Sequence, residues 1–207
     1  MILFGFCDIG KIIFREYIST TFILKIYTWK MCLCLGLPGS GKTLLLKRLQ
    51  NQEAIDITSN PTPTVGVNLA KVRLSEEPFV EISIKEVGGA MAPIWKNYYV
   101  GTREIIYVVD TSNLCQIAAA GTMLYGILAD QYLKSARILL VLTKMDVSYR
   151  QMRNEALLML QMNRLKKEIG REITVLEASA MSGEGAAEII EWLRGKKKAK
   201  TNENKVA

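Results

Sequence analysis

The sequence contains no histidine and only four cysteines among 207 residues. Zinc sites are built largely from these two residue types, and disulfide scaffolds need a dense set of cysteines, so the composition argues against both. Cys32 and Cys34 alternate along a short apolar run, which favours buried, reduced thiols. Reduced thiols indicate a reducing compartment, and we therefore expect a cytoplasmic protein.

Long uninterrupted apolar runs are also missing. Charged residues break the apolar segment of residues 1–30, so it contains no stretch of about 18 apolar residues that could form a membrane-spanning helix. The segment lacks the small-residue cleavage site of a signal peptide, and position 2 is not the glycine needed for myristoylation. The chain also ends without a cysteine for prenylation. We expect at most peripheral contact with membranes, without a lipid anchor.

The net charge of +7 lies at the two ends of the chain. Residues 1–30 carry four basic and two acidic residues, and residues 194–207 carry six basic residues and one acidic residue. The part of the chain between them therefore has no net charge. A neutral core lacks the basic face of a nucleic-acid-binding domain, and no nucleic-acid partner is expected. We predict an N-terminal extension over residues 1–30, one domain over 31–195 and a basic flexible tail over 196–207.

The extension allows two interpretations. It is either a degenerate segment for membrane or partner binding, or a stretch upstream of a natural translation start at Met31. We favour the second, because the first strand of the domain begins there and nothing before it is needed to complete the fold.

The remaining sequence alternates between strand and helix patterns. Short apolar runs typical of buried strands occur at residues 31–35, 105–109, 138–142 and 173–176, and residues 79–87 alternate as a further strand. Helices are predicted over residues 44–49, 117–134, 151–169 and 186–194, with a loop over 51–63. This order predicts a single α/β domain.

A glycine-rich motif follows the first strand. Its residues are Gly36, Leu37, Pro38, Gly39, Ser40, Gly41, Lys42 and Thr43. They match the phosphate-loop pattern G-x-x-x-x-G-K-[ST], between a strand and a helix as the motif requires. The glycines let backbone N–H groups surround a phosphate, the lysine supplies a cation, and the threonine hydroxyl can ligate Mg²⁺. The motif predicts nucleotide binding without choosing between ATP and GTP.

Two later segments favour guanine. Thr143, Lys144 and Asp146 form a sequence that resembles the N/T-K-x-D motif of GTPases. The aspartate can accept from the ring N1–H and the exocyclic amine of guanine, whereas adenine would leave a carboxylate unpaired. The stem of Lys144 can cover the base. Ser179 and Ala180 follow the last strand, where the Ala180 N–H would contact the guanine carbonyl.

Further motifs resemble those of the ADP-ribosylation factor (Arf) and Arf-like family of small GTPases. They are P-T-V-G-V-N at residues 63–68, Gly-Gly at 88–89, P-I-W-K-N-Y-Y at 93–99 and Y-V-V-D-T-S at 107–112. In this family the segments at 63–68 and 88–99 are the nucleotide-sensing loops, switch I and switch II. The resemblance implies a monomeric P-loop domain with a six-stranded, mostly parallel sheet and helices on both faces.

The resemblance also implies roles for individual residues. Thr64 would join Thr43 on Mg²⁺, with Glu86 acting through water, and the Gly89 N–H would sense the γ-phosphate of GTP. The neighbourhood of Thr64, Gly89, Trp95 and Tyr98 would form the surface that effector proteins contact. For the two aromatic residues, core packing is an equally good interpretation.

The sequence departs from the family at the start of switch II. The family pattern D-x-G-G-Q becomes Glu86-Val-Gly-Gly-Ala90, so the glutamine that orients the attacking water is missing. We expect a GTP-binding switch with weak intrinsic hydrolysis. Three alternatives remain open: a GTPase completed by an activating protein, a membrane-receptor subunit similar to the signal-recognition-particle receptor β subunit, and an ATP-dependent kinase or ATPase.

Overall fold

The computed structural model describes residues 31–50, 62–76, 79–148, 150–170 and 172–195. The predicted extension (residues 1–30), the predicted basic tail (196–207) and most of the predicted loop at 51–63 therefore lie outside the described residues. The phosphate-loop motif, both switch segments and both guanine motifs lie within them.

Strands and helices alternate along the described chain. The strands are β1 (Cys32–Leu35), β2 (Val67–Ser75), β3 (Val80–Val87), β4 (Glu104–Asp110), β5 (Arg137–Thr143) and β6 (Ile173–Glu177). The α-helices are α1 (Lys42–Leu49), α2 (Leu114–Ala129), α3 (Arg150–Met159), α4 (Met162–Ile169) and α5 (Ala186–Leu193). Two 3₁₀ helices cover Gly89–Tyr98 and Gln131–Leu133.

The six strands form one sheet in the order β2-β3-β1-β4-β5-β6. All neighbouring strands are parallel except β2 and β3, which pair antiparallel. Helices α2, α3 and α4 contribute Ile117, Ala156 and Leu165 to the core on one face, and α1 and α5 contribute Leu45 and Ile189 to the core on the other. The predicted six-stranded, mostly parallel sheet with helices on both faces is thus confirmed.

Several element boundaries differ from the prediction. The helix expected over 151–169 is two helices, because Gln161 adopts a left-handed backbone with φ of 50°. The helix expected over 117–134 begins at Leu114 and ends at Ala129. Strand β2 is an addition to the strands predicted from the sequence: its residues 70–75 alternate between buried apolar and more exposed polar positions, whereas its first three residues are all exposed.

Parallel strands give the sheet two different ends. At the amino end, Arg137 donates to Glu104 Oε1 at 2.8 Å and to the Trp192 carbonyl at 2.7 Å, and its guanidinium lies 4.3 Å from the Trp192 ring centroid. Met31 is bound at this end too, where its carbonyl accepts from the Arg103 N–H. The carboxyl end is where ligands bind in open α/β sheets, and the predicted site residues lie there. Among the described residues, no helix is long and apolar enough to span a membrane.

Candidate nucleotide-binding site

The glycine-rich motif forms a loop between the end of β1 and the start of α1. Gly41 has a φ of 86°, which side chains disfavour, and it is the residue immediately before the first turn of α1. A Cβ on Gly36 would lie 2.4 Å from the Val108 carbonyl oxygen, so only glycine fits against β4. The loop therefore brings backbone N–H groups and the amino end of α1 to one point, the arrangement that binds a phosphate.

Lys42 is held inside this loop. Its ammonium donates to the carbonyls of Gly36 and Leu37, both at 2.9 Å, and the residue is only 6% exposed. Burial lowers the pKa of Lys42 from its ordinary value, and the nearby carboxylate of Glu86 acts in the opposite direction. The loop's own carbonyls thus hold the cation where the phosphates of a nucleotide would lie.

The three residues predicted to serve Mg²⁺ lie together. Thr43 Oγ1 donates to Glu86 Oε1 at 2.5 Å and lies 3.1 Å from Thr64 Oγ1, which is itself 3.3 Å from the same carboxylate oxygen. Asn68 Nδ2 donates to Glu86 Oε2 at 3.3 Å, a contact that no sequence motif indicates.

This donor set fits a magnesium ion. Oxygen ligands are what Mg²⁺ prefers, and the cluster offers two hydroxyls and a carboxylate. Glu86 is fully buried, and in the described part of the chain no lysine or arginine nitrogen lies within ion-pair distance of it. A buried carboxylate without a cation is unfavourable, so a metal ion at this point would balance its charge.

The two glycines of switch II contact both other phosphate-site segments. A Cβ on Gly89 would lie 2.3 Å from the Pro38 nitrogen, so this residue packs directly on the phosphate loop. A Cβ on Gly88 would lie 2.3 Å from the Thr64 carbonyl oxygen, and the Gly88 N–H donates to the Gly66 carbonyl at 2.9 Å. Switch I, switch II and the phosphate loop therefore meet through backbone contacts that larger residues would disrupt.

Trp95 corrects one sequence expectation. It is 2% exposed, donates from Nε1 to the Gly88 carbonyl at 3.2 Å and packs edge-on against Tyr107 at 6.5 Å between ring centroids. The core-packing interpretation is therefore right for Trp95, whose side chain is not on the surface. Tyr98 is half-buried, with the Lys85 ammonium 5.6 Å from its ring centroid.

Thr143 connects the base motif to the phosphate loop. Its hydroxyl lies 2.7 Å from the Ser40 carbonyl and 3.1 Å from the Val109 carbonyl, and one proton serves both acceptors. The Thr143 carbonyl in turn accepts from the Thr111 hydroxyl at 2.8 Å. Threonine at this position thus ties the end of β5 to the phosphate loop and to β4.

Lys144 and Asp146 occupy the turn after β5. Lys144 has a φ of 61°, and its ammonium pairs with Asp110 Oδ2 at 2.7 Å, a partner that the sequence did not indicate. Asp146 Oδ1 accepts from the Ser179 hydroxyl at 2.6 Å. The structure therefore brings the two predicted guanine motifs into direct contact, although they are 33 residues apart in sequence.

The loop that contains Ser179 and Ala180 has a second support. Arg48, near the end of α1, donates from Nε to the Ala180 carbonyl at 2.7 Å and from Nη2 to the Met181 carbonyl at 2.8 Å. These contacts span more than 130 residues of sequence, and no local motif marks them. Sequence reasoning missed Arg48 for that reason.

Comparisons with known proteins agree with this geometry. The model of the ADP-ribosylation factor family matches residues 19–197. Human ADP-ribosylation factor-like protein 16 is 35% identical over 175 residues, covering 82% of this chain and 87% of that protein. ADP-ribosylation factor 1 of Brassica rapa subsp. pekinensis is 30% identical over 163 residues, covering 78% and 84% respectively. Three sequence features also resemble Arf-like protein 16 within the family: Met-Cys-Leu at 31–33, the short region before residue 63, and Glu86.

Solved structures show the same fold. The Arl6 BBS3 small GTPase from Trypanosoma brucei with bound GppNp superposes with a TM-score of 0.66 at 20% identity, covering 80% of this chain and 95% of that one. The mammalian signal-recognition-particle receptor gives a TM-score of 0.63 at 17% identity, covering 80% and 98%. From the family match and the identity to curated members, the chain belongs to the ADP-ribosylation factor family of small GTPases.

Proposed function

We propose that the protein is a guanine-nucleotide switch of the Arf-like type. It binds GTP or GDP with Mg²⁺ in the cytoplasm and, when loaded with GTP, presents its switch surface to effector proteins. Members of the family bind guanine nucleotides, and this chain keeps the phosphate loop and both base motifs in contact with one another.

One observation carries the proposal. Gly89 packs on the phosphate loop while the Thr64 hydroxyl lies beside Thr43 and Glu86, so switch I and switch II both lie against the phosphate site. A γ-phosphate bound there would hold both segments in place, and its loss would release them. Ordering of two loops by one phosphate is the physical basis of a nucleotide switch.

Magnesium has a defined place in this proposal. The hydroxyls of Thr43 and Thr64 would hold the ion, with Glu86 acting through water. When bound, Mg²⁺ neutralises charge on the β- and γ-phosphates. The hydroxyl of Thr64, which contacts Thr43 and Glu86 in this structure, would gain the metal ion as a partner when GTP and Mg²⁺ are bound.

The partner-facing surface surrounds these loops. Val65 is 97% exposed, and Val67, Leu69 and Ile94 are also exposed large apolar residues in the same region. Tyr98 contributes its half-buried ring, while Trp95 supports the surface from below. A surface of this composition suits an apolar partner segment.

Hydrolysis is proposed to be slow. Ala90 is exposed at the start of the 3₁₀ helix and has neither a donor nor an acceptor to orient water. One alternative is a GTPase whose activating protein supplies the missing group. Single-turnover release of γ-phosphate, measured with and without cell extract, separates the two: acceleration by the extract would favour the activated enzyme.

Nucleotide choice and switching need separate measurements. Displacement of a fluorescent GDP by GTP, GDP or ATP, with Mg²⁺ or EDTA, should show displacement by guanine nucleotides only; ATP competing equally would contradict the proposal. Affinity capture should then compare protein loaded with a non-hydrolysable GTP analogue and with GDP. Identical sets of captured proteins in both states would argue against a switch.

A further inference from the structure

Arg48 links the helix that follows the phosphate loop to the loop proposed to read the base. Both of its donors go to backbone carbonyls of neighbouring residues, Ala180 and Met181, at 2.7 and 2.8 Å. A guanidinium presents its donors in a fixed planar fork, so this pair of bonds fixes the direction of two consecutive peptide groups.

The orientation of those peptides has consequences on their other side. In a trans peptide the N–H points opposite to the C=O, so the N–H groups of Met181 and Ser182 are directed away from Arg48. The Ser182 N–H donates to Ser179 Oγ at 3.1 Å, and that hydroxyl donates to Asp146. Arg48 is therefore connected, through one peptide and one hydroxyl, to the carboxylate proposed to select guanine.

Two backbone N–H groups of this loop remain for a ligand. Within the described ranges, the amides of Ala180 and Met181 donate to no backbone carbonyl. The carbonyl before them, that of Ser179, accepts from the Gly183 N–H at 2.9 Å, which fixes the direction of the Ala180 N–H. The loop thus presents two adjacent, oriented donors.

A simple ion pair does not explain Arg48. In the described part of the chain, no carboxylate lies within ion-pair distance of its guanidinium, so its specific contacts are the two carbonyls. Its neighbour Lys47 carries the same charge on the same helix but is exposed. This difference gives a matched control that removes a positive charge without touching the loop.

We propose that Arg48 is a positioning residue for recognition of the base: it orients the Met181 amide, next to the Ala180 amide that the Gly183–Ser179 bond orients, so that both donate to the oxygen at C6 of a purine. The inference rests on the proposed binding of guanine nucleotides. Arg48 would act on recognition of the C6 oxygen alone, because Asp146 would accept from the N1–H and the exocyclic amine.

The test compares GDP with 6-thio-GDP, which keeps N1–H and the amine and replaces only the C6 oxygen by sulfur, a weaker acceptor. The ratio of the two dissociation constants is measured for the full chain and for Arg48→Ala, Arg48→Lys and Lys47→Ala. We expect Arg48→Ala to reduce the preference for GDP by about three- to tenfold, the range of one neutral hydrogen bond. Arg48→Lys should reduce it less, and Lys47→Ala should leave it unchanged.

Each outcome has a distinct meaning. If Arg48→Ala weakens both nucleotides by the same factor, Arg48 is merely structural and the inference is wrong. If Arg48→Ala does not fold, the ratio for Arg48→Lys decides, and an unchanged ratio overturns the inference. If the wild-type protein binds neither nucleotide, the proposed function itself is refuted. This result differs from a failure of the inference about Arg48, in which the wild type binds both nucleotides and the ratio does not change in the variants.

Discussion

Replacing Gly89 with alanine should separate GTP binding from GDP binding. The added Cβ would lie 2.3 Å from the Pro38 nitrogen and 2.5 Å from the Leu37 carbonyl carbon, whereas ordinary contacts begin at 3.4 Å. These neighbours are backbone atoms, so they cannot rotate away as a side chain can. The Gly89 segment must therefore move off the phosphate loop by about 1 Å to reach an ordinary contact distance.

The size of the effect follows from that displacement. A hydrogen bond from the Gly89 N–H to a γ-phosphate would lengthen from about 2.9 to about 3.9 Å, beyond the useful range. Hydrogen bonds to charged groups contribute about 1.5–3 kcal/mol. Because 1.4 kcal/mol is a factor of ten, the affinity for a GTP analogue should fall by roughly 10- to 150-fold. The affinity for GDP, which has no γ-phosphate, should change little.

Competition of GppNHp and GDP against a fluorescent GDP measures both affinities in one assay. Gly126→Ala is the matched control, since its added Cβ meets no heavy atom within 4 Å and its backbone has no positive φ. The control should keep the wild-type ratio of the two affinities. An unchanged ratio in Gly89→Ala would refute the argument that Gly89 senses the γ-phosphate from its place on the loop.

Three further predictions concern hydrolysis, the opposite end of the sheet and a buried thiol. Ala90→Gln supplies a side chain that can orient water, so single-turnover release of γ-phosphate should become about tenfold faster or more; an unchanged rate would show that residue 90 is not the cause of slow hydrolysis. Arg137→Ala removes the guanidinium that pairs with the buried carboxylate of Glu104, 3% exposed, and the free energy of unfolding in urea should fall by about 2–3 kcal/mol, whereas Arg164→Ala in an exposed pair should change it by under about 0.5 kcal/mol. A similar loss in both variants would contradict this. Burial raises the pKa of Cys34 from 9.0 to about 12, so the unfolded chain loses its proton first and stability should fall as pH rises from 9 towards 12. The urea midpoint should therefore drop more between pH 8 and pH 10 in the wild type than in Cys34→Val, and equal drops would exclude the thiol as the source.

Local patterns predicted the parts of the fold whose burial is uniform. Strand β4 is buried at every residue, and the continuous apolar run over its residues 105–109 can be recognised directly. Strand β2 is an edge strand whose first residues, including Val67 and Leu69, are exposed despite being apolar. The alternation is confined to residues 70–75, next to these exposed apolar residues, and the family resemblance supplied the sixth strand instead.

Contacts between distant segments explain the remaining gaps in the predicted site. The phosphate loop was predictable because eight consecutive residues carry its geometry. Arg48, by contrast, acts on carbonyls more than 130 residues away, and backbone acceptors leave no mark on a sequence. The break at Gln161 was missed for a related reason, since a glutamine at positive φ lacks the glycine that usually signals such a turn.

The amino end of the sheet has a consequence for how the molecule could be tethered. Met31, where the described domain begins, is bonded beside β4, and Gly195, where it ends, lies near Arg137 at the start of β5. Both connections to the flanking sequences are therefore on the side opposite the phosphate loop. A partner bound to either flanking sequence would therefore contact the domain at the amino end of the sheet. The nucleotide site and the two switch segments, at the opposite end, would stay accessible to other proteins.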